Sequence, residues 1–423
     1  MLANAFENGA DWECVKLTSI HAKEIINVLA DFAEFPTHVS DYNKIISEGL
    51  HEVNSQDKGI MRRNTTFPDW SKSEMIYSGP HVYVSNPYYK TPRSICNQNS
   101  DYDIIDLQTM QKDYTQRTNY TPTIELEDYL SLFKGFEVGK DNEGNPIYDN
   151  LIEHYKIGYR RMIGTASERT FSGAILPPNA MHIGGIVSIT FKDNTSMAEF
   201  LGLSSSLPLD FFIKVLSITD IHANRLLPLP LGIDEKYKLP LISRTLILNC
   251  LSNKYSALWQ ELWREEYKDE EWSINDPRLK PFNTLKKDWE WATPLRNYFE
   301  RRQALVEIDV ISAMALGLSL KDLEMIYTIQ FPVLQQNESD TWYDQKGNIV
   351  FTCSKGLTGV GCDRKEWESI RNNSEPYVHT IDPKKSELYG GQQVTYYPPY
   401  TRPDRISDYR RAWAFFEKKF NNK

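Results

Sequence analysis

Cysteine is scarce and scattered in this chain of 423 residues. The five cysteines are Cys14, Cys96, Cys250, Cys353 and Cys362, and no two of them form a Cys-x-x-Cys pair. An odd, dispersed set of thiols supports neither a disulfide framework nor a cysteine-based zinc site. Such usage favours a reducing compartment, so we expect a cytoplasmic location.

Long apolar runs are missing as well. No segment approaches the roughly 20 apolar residues that span a bilayer. The first residues, MLANAFENGADWE, have neither the basic nor the apolar stretch of a secretory signal. We therefore expect no membrane partner. A hydrophobic content of 40% and an aromatic content of 12% predict a folded, globular chain.

Recognisable catalytic motifs are also lacking. No serine sits in a Gly-x-Ser-x-Gly elbow, and the eight histidines show no metal-ligand spacing. The segment Asn86-Pro87-Tyr88-Tyr89 is similar to the Asn-Pro-Pro-Tyr loop with which amino-methyltransferases hold a flipped base. The 85 residues before it contain no Gly-x-Gly turn for S-adenosylmethionine, so an Asn-Pro turn is the better interpretation. We expect no catalytic residue, cofactor or metal in this chain.

The pattern of helix, strand and turn residues along the chain predicts an α+β fold with four regions. Residues 1–150 mix helix, beginning with a helix from about Ile20 to Phe32, with irregular segments. Residues 151–250 are expected to form a β-rich recognition domain, in which 184–191 is a strand. Residues 251–335 are expected to form a helical spacer. Residues 336–423 are expected to form a C-terminal α/β cap of hairpin and helix.

Two elements can be predicted more closely. Leu258, Trp259, Leu262 and Trp263 fall on one face of a helix within 253–269, so this face should pack against a core. The segments 342–344 and 349–351 flank a Gln-Lys-Gly-Asn turn and predict a hairpin.

Charge is unevenly distributed along the chain. The net charge is −9, which opposes a uniformly basic nucleic-acid binder. Residues 151–250 nevertheless carry ten Lys and Arg residues against eight Asp and Glu residues, a local charge of +2. Four of these cations lie close together in sequence, at Lys156, Arg160, Arg161 and Arg169. Like charges this close repel unless an anion joins them, so the segment 155–178 is the first candidate for a phosphate-binding surface.

An ordered series of short motifs resembles a known family. The series comprises Gly49-Leu50-His51-Glu52-Val53-Asn54, the stretch from Ser78 to Pro92, Arg117-Thr118-Asn119-Tyr120, Glu168-Arg169-Thr170, Asn249-Cys250-Leu251, Glu307-Ile308-Asp309, Phe331-Pro332-Val333-Leu334, Arg402-Pro403-Asp404-Arg405 and Asp408-Tyr409-Arg410-Arg411-Ala412-Trp413. Together they resemble the C-terminal, target-recognition half of Eco57I-like (type IIG-like) restriction-modification adenine methylases, including those of class 1 DISARM phage-defence systems. The resemblance implies recognition of double-stranded DNA here. It implies adenine-N6 methylation, with its S-adenosylmethionine, on a methyltransferase domain or subunit outside this chain.

Under this interpretation the candidate DNA contacts are cationic or hydroxyl-bearing residues of the recognition region. They are Lys156, Arg160, Arg161, Arg169, Thr170, Lys192, Lys214, Arg225 and Arg244. An arginine beside a threonine can meet a phosphate or a guanine edge. Two alternatives stay open. The chain could be an interaction scaffold within a defence complex that does not touch DNA, which the acidic balance favours, or a self-sufficient methyltransferase.

Overall fold

A computed structural model describes residues 28, 32, 34–164, 167–216 and 218–421. The helix predicted from about Ile20 to Phe32 lies almost wholly outside these residues. Within them the chain forms both helices and strands, so the predicted α+β class is confirmed. No helix in the described ranges has both the length and the apolar character that crossing a bilayer requires.

Sixteen short strands, numbered β1 to β16 in chain order, occur in the described residues. They are Lys44–Ser47, Met61–Thr66, Met75–Tyr77, Lys90–Pro92, Tyr102–Ile104, Thr118–Pro122, Lys134–Lys140, Pro146–Asn150, Lys156–Arg160, Gly173–Leu176, Ala180–His182, Ile186–Phe191, Trp342–Tyr343, Ile349–Phe351, Tyr377–Thr380 and Gln393–Tyr396.

Twelve α-helices, numbered α1 to α12, occur in the same part of the chain. They are Glu52–Asp57, Leu126–Ser131, Asn194–Ser204, Leu207–Val215, Ala223–Leu226, Glu235–Asn249, Ser256–Leu262, Tyr298–Ala315, Leu320–Met325, Pro332–Ser339, Arg364–Ile370 and Arg405–Asn421.

The centre of the fold is a four-stranded antiparallel sheet in the order β1-β12-β9-β10. In β12, Ile186 pairs with Arg160 at one end of the sheet and Phe191 pairs with Lys44 at the other. The six residues of β12 span about 20 Å, so these two ends are well separated. Every residue of β10 and β12 is buried, because both faces of the sheet are covered.

Successive side chains along the strands point to opposite faces of the sheet, so the sheet separates two hydrophobic clusters. Ile157, Tyr159 and Val187 contribute to the large core on the helical side of the sheet. Leu176 and Ile186 point the other way, into a smaller cluster. This second cluster includes Met75 and Tyr77 of β3, and β3 pairs in parallel with β11.

The helical layer is built from helices far apart in sequence. The pairs α3–α6, α6–α8 and α8–α12 pack against one another, and the large core contains residues from Val28 to Phe420. One core therefore draws residues from all four regions that the sequence analysis separates at 150, 250 and 335. The strands of the predicted β-rich region end at Phe191, and the rest of that region, through Asn249, is mainly helical.

Two local predictions are confirmed. The hairpin forms as β13 and β14, with Trp342 paired to Phe351. The predicted helical face forms in α7 and at its end, where Trp259 is fully buried and its indole nitrogen donates to the carbonyl of Lys286 at 2.8 Å.

Candidate nucleic-acid interface

A cleft of about 730 Å³ opens at the end of the central sheet where β9 stops. Its walls come from β2 and β6, the turn Gly79–His81, the loop 183–185 and the first residues after β9. Four cationic side chains line it, from Arg63, Lys90, Arg160 and Arg161, against the two carboxylates of Glu52 and Asp220. The cleft is therefore locally positive although the chain is negative overall.

Arg160 is fixed at the cleft by the backbone and by two aromatic rings. Its Nε donates to the carbonyls of Gly79 at 3.0 Å and Val82 at 2.7 Å. Its guanidinium lies 5.3 Å from the ring centroid of Tyr83 and 5.2 Å from that of Tyr89. The two rings stack with their centroids 4.9 Å apart. This platform orients a guanidinium whose terminal nitrogens make no hydrogen bond within the described part of the chain.

Lys90 lies beside this platform. Its ammonium is 5.0 Å from the centroid of the Tyr89 ring. Burial, and then the neighbouring charge of Arg160, lower the pKa of Lys90 to about 8. Among the described residues no carboxylate lies within ion-pair distance of Lys90 or Arg160. Two adjacent cations without a counter-charge form a site that an anion would stabilise.

Arg161 is held only loosely. It lies 3.7 Å from a carboxylate oxygen of Glu48 and 3.9 Å from one of Asp220, and both carboxylates are exposed. Glu48 also accepts a hydrogen bond of 2.8 Å from His222. Exposed ion pairs of this length contribute little to stability. Arg161 can therefore turn from them towards an anion in the cleft.

The loop between β4 and β5 adds amide groups to the lining of the cleft. Arg63 donates to the carbonyls of Cys96 at 3.1 Å and Asn97 at 3.4 Å, which ties the loop to β2. The backbone nitrogens of Asn97 and Gln98 donate to one carboxylate oxygen of Asp101. The side-chain amides of residues 97–99 are exposed and line the cleft, and that of Gln98 also bonds to the Asp101 carboxylate. Asn and Gln amides can donate to and accept from an adenine edge in two hydrogen bonds.

The segment Asn86-Pro87-Tyr88-Tyr89 forms a turn, as predicted from the sequence. The side-chain oxygen of Asn86 accepts from the backbone nitrogen of Tyr88 at 3.0 Å. Tyr88 is buried, and its hydroxyl lies 2.8 Å from that of Ser252. The side-chain oxygen of Asn86 and the hydroxyl of Tyr88 thus make their hydrogen bonds within the fold.

Arg169 and Thr170 are predicted contacts that lie in the interior. Arg169 pairs with Asp210 and donates to the carbonyl of Ser205 at 2.7 Å. The same carboxylate accepts from the backbone nitrogens of Thr170 and Phe171, each at 3.0 Å. The pair anchors this loop to α4. In this structure neither side chain is placed to meet DNA.

Three further predicted contacts are buried. Lys156 donates to the carbonyls of His154 at 2.9 Å and Ala180 at 3.2 Å, and burial lowers its pKa to about 7. Arg244 is fully buried between carboxylates. Lys214 is buried with its ammonium 5.0 Å from the Phe331 ring, and burial lowers its pKa.

The two remaining predicted residues lie on the surface in different places. Lys192 is exposed and follows β12 at the end of the sheet away from the cleft. Arg225 is half-buried on α5, which begins directly after His222. Of the nine predicted contacts, the structure therefore brings only Arg160 and Arg161 together in the cleft.

Arg63, Lys90 and residues 97–99 line the cleft but were not predicted from the sequence. Lys90 directly follows the Asn86-Pro87-Tyr88-Tyr89 segment, so that segment was the available signal. Arg63 reaches the cleft because β2 pairs with β6. Residues 97–99 reach it because Arg63 binds the backbone carbonyl of Cys96 just before them. No pattern of neighbouring residues indicates these contacts between distant segments.

No family model matches this chain, and neither does any curated protein.

Proposed function

We propose that this chain recognises double-stranded DNA through the cleft at the end of β9. The observation that carries the proposal is the pair of adjacent cations, Lys90 and Arg160, without a carboxylate partner among the described residues. Phosphate contacts supply much of the affinity of DNA-binding proteins, and arginine and lysine are their usual donors.

The cations and the amides that line the cleft have different roles in this proposal. Lys90, Arg160 and Arg161 meet the phosphate backbone. The amides of residues 97–99, which also line the cleft, meet base edges, because an amide can recognise adenine in the major groove. The cleft is small next to a duplex, so the DNA lies across its mouth and inserts a phosphate or a base edge.

The resemblance to Eco57I-like methylases supports the biological role. The chain would select the site for an adenine-N6 methyltransferase of a restriction-modification or phage-defence system. The methyltransferase part, which binds S-adenosylmethionine, would lie outside this chain. The segment 78–92, which carries part of that resemblance, supplies both Lys90 and the aromatic platform under Arg160.

Salt-titrated binding tests the proposal. Affinity for a labelled duplex is measured by anisotropy between about 50 and 200 mM salt, with the methyltransferase partner present if one is found. Lys90→Met and Arg161→Ala should each weaken binding and lower the log–log salt slope by about 0.9 per lost phosphate contact. Lys192→Ala is the matched control, since this exposed lysine lies at the far end of the sheet.

A second measurement separates charge from fold. Arg160→Lys keeps the charge but loses the Nε hydrogen bonds, so it should retain more of the salt slope than Arg160→Ala. Unfolding curves of each variant confirm that the fold persists. If Lys90→Met and Arg161→Ala bind as the parent does, the cleft is not a DNA site.

The alternative function, an interaction scaffold that does not touch DNA, is favoured by the β7–β8 hairpin. Val138, Ile147 and Tyr148 are exposed there, at 60%, 46% and 44% of their surface, beside the acidic residues Glu137 and Glu143. Exposed apolar side chains grouped on one element are typical of protein-binding surfaces. This function would be supported if Val138→Ser abolished binding to a partner protein while Lys90→Met left DNA binding unchanged.

A further inference from the structure

Three side chains with metal-binding atoms converge in the C-terminal region. Cys362 follows a glycine-containing loop, Glu366 lies in the first turn of α11, and His379 lies on β15. The sulfur, a carboxylate oxygen and a ring nitrogen all lie within 4.8 Å of one another. Three separate elements meet at this cluster.

The loop before Cys362 is shaped to place its thiol. Gly359 and Gly361 have positive φ values of 91° and 75°, which favour glycine. A Cβ on Gly361 would lie 2.6 Å from the carbonyl oxygen of Val350, so no other residue fits there. The backbone nitrogen of Cys362 donates to that same carbonyl at 2.7 Å. The loop is thereby pinned to β14 with Cys362 buried.

Glu366 is the centre of the cluster. One of its oxygens lies 2.8 Å from Nδ1 of His379 and accepts from the hydroxyl of Tyr377 at 2.8 Å. Its backbone nitrogen donates to Asp363, which caps the helix. The carboxylate is therefore held against the strand, facing the imidazole.

We propose that Cys362, Glu366 and His379 bind one Zn²⁺ ion. Thiolate, carboxylate and imidazole are the donor types that zinc takes in proteins. Zinc bond lengths place tetrahedral ligands about 3.3–3.8 Å apart, so shifts of about 1 Å bring these atoms into position. A thiolate and a carboxylate neutralise the dication, while Asp363 and Lys385 beside the thiol offset each other.

The fourth position falls to water. A cavity of about 150 Å³ reaches His379 and is lined by Gly359, Gly361 and Lys385. It is large enough to admit a water molecule.

The ion would brace a small core. Among the described residues, the hydrophobic cluster at this end has six buried members, including Phe351, Trp367 and Tyr396. Small cores are often completed by a metal that ties the chain together. The zinc ion would join the loop, α11 and β15 around this cluster.

Zinc and cobalt binding by the full chain test the proposal. Metal-free protein is titrated with Zn²⁺ against a chromophoric chelator and separately with Co²⁺. We expect one ion per chain, with a thiolate-to-cobalt charge-transfer band. Cys362→Ser should abolish the band and weaken zinc binding by at least about tenfold. Cys353→Ser is the matched control, because this free, half-buried thiol lies outside the cluster.

A second variant keeps the test decisive if Cys362→Ser fails to fold. His379→Gln retains the thiol and should weaken zinc binding while shifting the cobalt spectrum. Zinc should also raise the melting temperature of the parent and of Cys353→Ser, but not of His379→Gln. Binding that is unchanged in both cluster variants, or a parent that binds no zinc, would overturn the proposal. The three groups would then form only a hydrogen-bonded cluster around Glu366.

Discussion

Replacing Arg244 with methionine should lower the free energy of unfolding without altering any side chain of the proposed DNA-binding cleft. Arg244 lies on α6 with no exposed surface. Its Nε donates to Glu307 at 2.7 Å and its Nη1 to Glu270 at 2.8 Å. It also donates to the backbone carbonyls of Pro240 and Glu271, at 3.0 and 2.8 Å. One guanidinium therefore satisfies two carboxylates and two carbonyls at once.

The expected loss in the free energy of unfolding depends on the partners that Glu270 and Glu307 keep after the substitution. Methionine fills much of the space but makes none of the four hydrogen bonds. Glu270 keeps Lys419 as a partner, and Glu307 keeps Ser273 and Gln303. Glu307 thus loses its only cationic partner among the described residues. Removing one partner of a buried ion pair costs about 3–5 kcal/mol, and we expect a loss in this range.

The assay is chemical unfolding followed by circular dichroism and tryptophan fluorescence. Lys192→Ala, at an exposed position, should change the free energy of unfolding by no more than about 0.5 kcal/mol. Combining Arg244→Met with Glu307→Gln removes the buried carboxylate charge that Arg244→Met leaves without a cationic partner. The double variant should therefore lose less than the sum of the single losses, by about 0.5–3 kcal/mol. A single-variant loss below about 1 kcal/mol would show that the buried ion pairs of Arg244 do not stabilise the fold.

Three further predictions concern buried groups. Trp259→Ala should lower the free energy of unfolding by about 3–5 kcal/mol in the same assay, and a loss below about 1 kcal/mol would contradict its burial. Lys156 has a folded pKa of about 7 against an ordinary value of 10.5, so the unfolded chain binds more protons between these values. Stability should rise with pH across this window by up to about 1.4 kcal/mol per unit, and Lys156→Met should flatten that rise. Burial alone would raise the pKa of Glu338, but the charges of Arg405 and Arg302 lower it to about 2. Stability should therefore fall as pH drops from about 4.5 towards 2, and less steeply in Glu338→Gln; equal slopes would exclude this ionic role.

Elements with a local signal are predicted well from this sequence. The hairpin of β13 and β14 follows from a Lys-Gly turn between aromatic and β-branched residues, and the structure contains it. The buried face of α7 follows from the spacing of Leu258, Trp259 and Leu262. In both cases neighbouring residues determine the conformation.

The helices after Phe191 show where local patterns fail. Every residue of α4 is buried, so this helix lacks the polar face that gives an amphipathic signal. A short, continuously apolar segment cannot be distinguished from a buried strand by periodicity alone. The region 151–250 therefore resembles β-structure in sequence although its second half packs as helices.

The predicted DNA contacts that lie in the interior show the same limit for charged residues. Arg169 finds its carboxylate at Asp210, 41 positions along the chain, and Arg244 finds Glu307 at 63 positions. No sequence window of helical or strand length contains both partners. Clustering of cations in sequence thus indicates a possible surface, while the tertiary fold decides which of them are neutralised inside.

Burial of ion pairs also changes the meaning of the net charge. Buried arginines such as Arg169, Arg302 and Arg405 are matched by buried carboxylates. These pairs cancel inside the fold, so they add nothing to the field that an approaching polyanion meets. At physiological salt the field of exposed charges fades over about 8 Å. A phosphate at the mouth of the cleft therefore responds mainly to Lys90, Arg160 and their neighbours. In the proposed function, the overall charge of −9 would weaken long-range steering of DNA, but it would not decide binding once a duplex reached this cleft.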